Sequence, residues 1–246
     1  MNAFIMQSRA ETIRIFRNPY YIFWSLMMPI TFYFVFTKIY ASDAGDANLY
    51  KAHFLMSMAA FSVMGTAIMN LGIRLVEERS HGWSLLLRVT PLSPLTYFFA
   101  KMVSQMIIQF FSIALIFIVG GLFNSISLSI GEWISAGLWI LLGSIPFLAI
   151  GLLIGTMKKV DTASGVSNLI YLTLAITGGM WMPIDAMPSL IQEAAVWMPG
   201  YNYGSGAWQI IRGEAPEWKG IAILIGYTFL FMLLSNYIRK SQQAMG

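Results

Sequence analysis

The sequence predicts an all-α membrane protein with six transmembrane helices, and three observations support that fold class. The first is composition: 57% of the 246 residues are hydrophobic, only 11% are charged, and the mean hydropathy is +0.67. These values lie far from those of soluble domains. The second is that the chain contains six apolar stretches, each close to the ~20 residues that an α-helix needs to cross a bilayer. The predicted spans are residues 20–40, 54–73, 103–123, 134–157, 164–182 and 220–238.

The third observation is the uneven distribution of basic residues. With the N-terminus in the cytoplasm, eleven of the 15 lysines and arginines fall in cytoplasmic segments. Those on the outer side are Lys38, Lys51, Arg212 and Lys219. Because positively charged loops stay in the cytoplasm, both chain ends are predicted to be cytoplasmic. Anionic lipid headgroups at the span ends account for the net charge of +4, so no nucleic-acid partner is expected. The whole chain, 1–246, is predicted to form a single membrane domain.

Residues 1–19 are predicted to form an amphipathic helix that lies on the cytoplasmic leaflet. Gln7, Glu11 and Arg14 follow the i, i+4, i+7 spacing of one helix face. The apolar residues roughly opposite are Ile5, Met6, Ile13 and Phe16. A helix of this kind can bury its apolar face at the headgroup boundary. A frayed tail is the alternative.

The longest cytoplasmic connection, residues 74–101, contains a predicted short helix over residues 77–89. Trp83, Leu86 and Leu87 form an apolar stripe on this helix. Prolines beyond it disfavour helix in the residues before them. An apolar stripe outside the membrane needs a cover. Either the stripe packs against this protein's own helix ends and the headgroups, or it docks a separate cytoplasmic protein.

The last external connection, residues 183–219, is rich in tryptophan and tyrosine and holds four of the nine prolines. Two short helices are predicted, over residues 190–198 and 204–212, the first starting at a capping box formed by Ser189 and Gln192. Neither is long enough to span a bilayer, but both can dip to the depth of an aromatic belt. We therefore predict a re-entrant hairpin, with an ordinary surface loop as the alternative.

The chain offers little for chemistry. It has no cysteine, and its two histidines, His53 and His81, fall on opposite sides of the predicted membrane. The H-E-x-x-H zinc motif and the G-x-x-x-x-G-K-[ST] phosphate loop do not occur. The sequence therefore predicts no catalytic residue, no metal site and no cofactor. Polar residues within spans, such as Thr66 and Asn70, are explained either by hydrogen bonding between helices or by a substrate path.

The connection between the second and third spans carries a family resemblance. Residues 77–82, the leucines after them, the run Thr90-Pro91-Leu92-Ser93 and Lys101 resemble the signature of the ABC type-2 permeases. In that family a glutamate and a basic residue precede a glycine, leucines and a T-P-L-S run follow, and a lysine opens the next span. The order of the predicted elements, from the amphipathic helix to the short helices before the last span, is similar as well.

This resemblance implies the membrane subunit of a bacterial ABC exporter, located in the cell membrane. Two permeases, identical or related, would pair with two separate ATP-binding subunits. Residues 74–101 would be the coupling loop, which carries motion from the ATP-binding subunits into the spans. By matched position, the docking residues would be Glu77, Glu78, Arg79, Gly82, Trp83, Leu86, Leu87 and Pro91. The substrate path would run between the two permeases, near Thr66, Asn70, Asn168 and Thr173.

The cargo is less well defined by the sequence. Members of the family export drugs, antimicrobial peptides, lipids and glycans. The apolar spans and the small size of the chain favour an amphipathic or lipid-like cargo, either a drug or an antimicrobial compound. The alternative from another class is a stand-alone membrane carrier, or a sensor subunit without an ATPase partner.

Overall fold

The computed structural model describes residues 3–40, 46–83, 89 and 93–244, and within these ranges the chain is helical and has no strand. The predicted all-α class is therefore confirmed. The helices are α1 (Ala3–Phe16), α2 (Pro19–Tyr40), α3 (Ala47–Gly65), α4 (Leu71–Ser80), α5 (Pro94–Asn124), α6 (Ile130–Leu142), α7 (Ile145–Ile154), α8 (Val160–Thr177), α9 (Ser189–Ala195), α10 (Pro199–Ile210) and α11 (Trp218–Ala244). The π-helical turn Thr66–Asn70 joins α3 to α4, and Ile184–Ala186 forms a 3₁₀ turn.

Four helical stretches of the described chain are long and apolar enough to cross a bilayer. They are Ala47–Ser80, Thr96–Asn124, Ile130–Ile154 and Trp218–Gln242. Helices also form at the two remaining predicted spans, where α2 has 22 residues and α8 has 18. Within α2, the apolar segment Ser25–Ile39 is shorter than the four stretches above. The full count of six spans stays a prediction.

The stretch Ala47–Ser80 forms the centre of the bundle. In its most apolar window 83% of the residues are buried, against 11% in the corresponding window of α11. Helices α2, α5, α6, α8 and α10 pack against α3, and α7 and α8 pack against α4. Because the stretch Ala47–Ser80 is enclosed by its neighbours, it is suited to transmit a displacement of one end to them. Helix α11, in contrast, presents most of its surface to the surroundings.

Close packing at the π-helical turn depends on glycine. A Cβ atom added to Gly151 of α7 would lie 2.4 Å from the carbonyl oxygen of Ala67, and one added to Gly155 would lie 2.7 Å from Leu75 Cδ1. From α4, a Cβ on Gly72 would lie 3.1 Å from the carbonyl oxygen of Gly151. The small-residue spacing of Gly151 and Gly155, typical of close helix contacts, therefore serves the contact between α7 and the central helix.

The predicted single helix over residues 77–89 is corrected by the structure. Residues 77–80 are the last turn of α4, and the helix ends at Ser80. Gly82 follows with a φ of +74°, in the left-handed region, and its N–H donates to the carbonyl oxygen of Arg79 at 3.0 Å. A glycine in this conformation just past a helix is a common stop signal. Glu77, Glu78 and Arg79 therefore belong to the central helix and not to a separate one.

The connection over residues 183–219 contains the two predicted short helices with shifted bounds, as α9 and α10. The predicted capping box is wrong: Ser189 is already helical, and the side chain of Gln192 donates to the carbonyl oxygens of Asp185 and Met187. Helix α10 begins at Pro199, because proline suits the first helical turn. It is largely buried and packs against α3, α6, α8 and α11.

Candidate coupling site

Helix α1 turns its polar face toward the rest of the chain. Ser8, Glu11 and Ile15 are its buried residues, and α1 packs along α5. The side chains it exposes include Phe4, Ile5, Met6, Ile13 and Phe16. This pattern is the reverse of a helix on a water-soluble protein. It fits a helix whose outer, apolar face meets lipid, and it brings the predicted polar face against α4 and α5.

Five side chains from α1, α4 and α5 meet there and are called the ion cluster below: Glu11, Arg14, Glu78, Tyr97 and Lys101. Lys101 Nζ lies 2.7 Å from Glu78 Oε1 and 3.0 Å from Glu11 Oε1. Arg14 Nη1 lies 2.7 Å from the same Glu78 oxygen. The Tyr97 hydroxyl donates to the other oxygen, Glu78 Oε2. Glu78 is therefore the centre of the cluster.

The ion cluster is balanced in charge and largely excluded from solvent. Glu11, Glu78 and Lys101 are only 5%, 6% and 4% exposed, while the side chain of Arg14 is 52% exposed. Two carboxylates face two cations, so burial leaves no net charge. Breaking a buried pair by removing one partner typically costs about 3–5 kcal/mol, because the other charge stays buried and uncompensated. The cluster therefore ties α1, α4 and α5 together.

Local sequence explains how each helix presents its members. Helix α5 starts at the N-cap Ser93, whose Oγ accepts from the Thr96 N–H at 3.1 Å. Tyr97 and Lys101 follow one turn apart and share a face. On α1, Gln7 and Glu11 are also spaced by four residues, and Gln7 Nε2 donates to Glu11 Oε1 at 3.1 Å.

Arg79 anchors the end of α4 to a different helix. Its guanidinium donates to three carbonyl oxygens at the end of α7: that of Gly155, that of Thr156 at 3.2 Å and that of Met157 at 3.3 Å. The last carbonyls of a helix lack partners within the helix and carry partial negative charge, so a cation there is favourable. Adjacent residues of α4, Glu78 and Arg79, therefore bind different helices of the bundle.

The other predicted docking residues lie around the turn after α4. Glu77 is half-buried, and Trp83 is 39% exposed. No atom of the described chain lies within 4 Å of a Cβ placed on Gly82. The positive φ, and not close approach by another described residue, explains the glycine. Leu86, Leu87 and Pro91 lie outside the described residues.

The four residues predicted to line a substrate path fall into two groups. Thr66 and Asn70 are buried at the π-helical turn: Asn70 Nδ2 donates to Gln105 Oε1 at 3.0 Å, and Gln105 Nε2 donates to the Thr66 carbonyl oxygen at 3.2 Å. These contacts fit hydrogen bonding between helices. Asn168 and Thr173 are exposed on α8.

Sequence reasoning missed most of the ion cluster as a site. Of its five residues only Glu78 was among the predicted docking residues, whereas the structure places Arg14 and Lys101 of the same chain beside it. A signal was present: Glu11 and Arg14 share a polar face on α1, and Lys101 belongs to the motif. Their meeting depends on tertiary packing, which periodicity alone does not predict.

The fold and this site define an all-helical membrane protein whose central helical stretch leads into the connection after Ser80. The sequence profile described as "ABC-2 family transporter protein" matches residues 40–237. The chain belongs to this family. It is also 52% identical over 245 residues to a Bacillus subtilis (strain 168) protein named "Putative transport permease YvfS", and the match covers 100% of both chains. The chain is thus a multi-pass membrane protein of a transport permease family.

Proposed function

We propose that this chain is the permease subunit of an ATP-driven ABC exporter and that a separate ATP-binding subunit docks on the connection after α4. The observation that supports this most is the double anchoring of α4 at its end. Glu78 binds α1 and α5, and Arg79 binds α7. A displacement of the connection would therefore reach three other helices, α1, α5 and α7, through direct hydrogen bonds, as a coupling element requires.

The docking residues divide into two roles in this proposal. Glu78 and Arg79 anchor the end of α4 inside the permease. Trp83, together with Leu86 and Leu87, supplies the apolar contact with the ATP-binding subunit, and Trp83 is exposed in the chain alone. Aromatic side chains that become buried at an interface often dominate its binding energy. Gly82 and Pro91 fix the path of the backbone on either side of this contact.

The proposed topology has six spans with both chain ends in the cytoplasm. The four stretches that meet the length and hydropathy requirements provide four of these spans. Helices α2 and α8 provide the other two. The basic-residue bias supports the orientation. The α9–α10 segment re-enters the outer leaflet as a hairpin, and the burial of α10 among four helices supports this proposal. Backbone at that depth must be covered by protein.

Cysteine labelling tests the topology directly, since the chain has no cysteine of its own. Ser127→Cys and Glu214→Cys should react with a membrane-impermeant maleimide in intact cells, because both exposed residues fall in external segments. Ser80→Cys and Ser241→Cys, which are exposed at the cytoplasmic ends, should react only after the membrane is opened. Labelling of Ser80→Cys in intact cells would overturn the six-span topology.

A second permease, identical or related, completes the transport path in this proposal. Asn168 and Thr173 are exposed on α8, and a polar amide in a span is unfavourable against lipid. A partner permease covering this face would remove that exposure and place the path between the two copies. Thr66 and Asn70 are bonded within the chain, so they would face the path only after a rearrangement of the central helix.

The proposed cargo is an amphipathic or lipid-like molecule, a drug or an antimicrobial compound, moved outward. The apolar character of the spans supports this class. The division of labour with a partner is tested by ATP hydrolysis. The purified chain should hydrolyse no ATP, and an ATP-binding subunit encoded beside it should co-purify and hydrolyse ATP. Absence of any co-purifying ATPase would instead favour a stand-alone carrier or a sensor subunit.

A further inference from the structure

A large cleft lies between α8 and α11, with α7 as its floor. Its volume is about 600 Å³, within the ~300–1,000 Å³ typical of sites that hold one small molecule. Ile150 of α7 lies on the floor, Ile170 of α8 on one wall, and Phe231 and Ile238 of α11 on the other. Ile170, Phe231 and Ile238 are half-buried, so the cleft opens on the surface of the bundle.

The cleft is polar and positively charged at one end only. Lys158 and Gln242 lie there, beside Thr156, and the other lining residues are apolar except Tyr227. Gln242 Nε2 donates to the Thr156 carbonyl oxygen at 3.0 Å. Within the described part of the chain, no carboxylate forms an ion pair with Lys158. None of the described residues that line the cleft is acidic.

A second cation reinforces this end. Arg79 donates to the carbonyl oxygens of Thr156 and Met157, both of which line the cleft. Lys158 therefore lines the polar end and Arg79 lies beside it, while the remainder of the cleft is lined by apolar residues and Tyr227. Basic pockets between helices at the cytoplasmic side of a membrane suit anionic lipid headgroups.

The dimensions fit an acyl chain. From Gln242 to Tyr227 the cleft follows about four turns of α11, or about 22 Å at ~1.5 Å per residue. This exceeds the ~15 Å depth of one leaflet's hydrocarbon. A fatty chain entering beside Lys158 would lie along the cleft for its whole length. A strongly polar ligand would gain little from the apolar walls.

We propose that the cleft between α8 and α11 holds one anionic phospholipid, with its phosphate at Lys158 and one acyl chain along α11. The lipid is a resident component that fills the space between the two helices and not exported cargo. Its assignment to the cytoplasmic leaflet rests on the proposed topology, but its binding does not. The site is therefore testable whether or not the exporter proposal is right.

The test is native mass spectrometry of the full-length chain with added phosphatidylglycerol or phosphatidylcholine. We expect one tightly retained phosphatidylglycerol and weaker retention of the zwitterionic lipid. Lys158→Gln should lower phosphatidylglycerol retention about fivefold, as expected for loss of one basic contact. Lys159→Gln is the matched control, because this exposed neighbour does not line the cleft. Equal retention by the two variants would overturn the proposal.

A second pair of variants tests the acyl-chain site. Ile170→Trp should fill the cleft and displace the retained lipid. Leu169→Trp makes a comparable change at a side chain that is 68% exposed and outside the cleft, and should retain it. Two outcomes would assign another occupant and refute the proposal. One is a disulfide between copies carrying Ile170→Cys and Ile238→Cys; the other is lipid release driven by ATP, which would identify cargo.

Discussion

Glu78 is the residue whose side chain holds the most helices together. Its carboxylate accepts hydrogen bonds from Arg14, Tyr97 and Lys101 and is almost fully buried. Glu78→Gln leaves Lys101 buried with a single carboxylate, so we expect a loss of about 3–5 kcal/mol in stability. The measurement is the midpoint temperature of thermal unfolding of the detergent-solubilised chain. Size-exclusion chromatography monitors the loss of the folded protein on heating.

Glu77→Gln is the matched control for this prediction. Glu77 is the adjacent, half-buried glutamate, and its side chain forms no ion pair within the described residues. Substitutions at such positions usually change stability by less than about 0.5 kcal/mol. If both variants unfold at the same temperature as the original chain, the ion cluster does not hold α1, α4 and α5 together.

The roles of individual residues were predictable only where local sequence decides them. Gly82 was found through a motif, and its positive φ gives it a physical reason. The motif also included Lys101, but not its partner Glu11, which lies 90 residues away in sequence. Pairings of that kind arise from helix packing. The polar face on α1 indicated polar partners on a neighbouring helix but did not identify those residues.

At the scale of elements, sequence periodicity located the helices better than their ends. The chain is helical around all six predicted spans, and the two short helices predicted between the last two spans are present. The boundary at Ser80 was missed because residues 77–89 continue an amphipathic pattern across a glycine. The π-helical turn at Thr66–Asn70 was also missed; it lies where Gly151, which is distant in sequence, packs closely against Ala67.

Helices α9 and α10 are expected to differ in what they contribute. Most of α9 is exposed, including Leu190 at 78%, whereas α10 is buried. Replacing residues 189–195 with a Gly/Ser linker should therefore leave the folded permease intact and abolish export, if the hairpin seals or releases cargo. Export is measured in membranes alongside recovery of the permease. Export at the normal rate would show that α9 is only a surface loop.

A matched disruption of α10 provides the contrast. A Cβ on Gly206 would lie 2.2 Å from the ring of Trp139, whose Nε1 donates to the Tyr203 carbonyl oxygen at 2.8 Å. Gly206→Ala should therefore lower stability as well as export, because a rigid ring blocks the added methyl group. Together the two variants separate a role in transport from a role in folding.

At the scale of the whole molecule, α4 links the buried centre of the bundle to the connection that follows Ser80. Together with α3 and the π-helical turn, α4 forms one helical stretch of 34 residues, from Ala47 to Ser80. The ion cluster and Arg79 fix its end to α1, α5 and α7. Composition and charge bias predicted a membrane protein, and the family match agrees. The hydrogen bonds that link α4 to these helices join residues far apart in the sequence, so only the structure identified them.

The most direct test of the central proposal is whether the ATP-binding subunit depends on Trp83. This side chain is 39% exposed just beyond the anchored end of α4. Trp83→Ala should weaken binding of the co-expressed ATP-binding subunit to the permease by about 1–3 kcal/mol, or roughly five- to 150-fold in affinity. Less of that subunit should therefore be recovered with the purified permease. Trp218→Ala, at an 83% exposed tryptophan on the predicted outer side, should leave recovery unchanged. Equal recovery of the ATP-binding subunit by both variants would contradict docking at this connection.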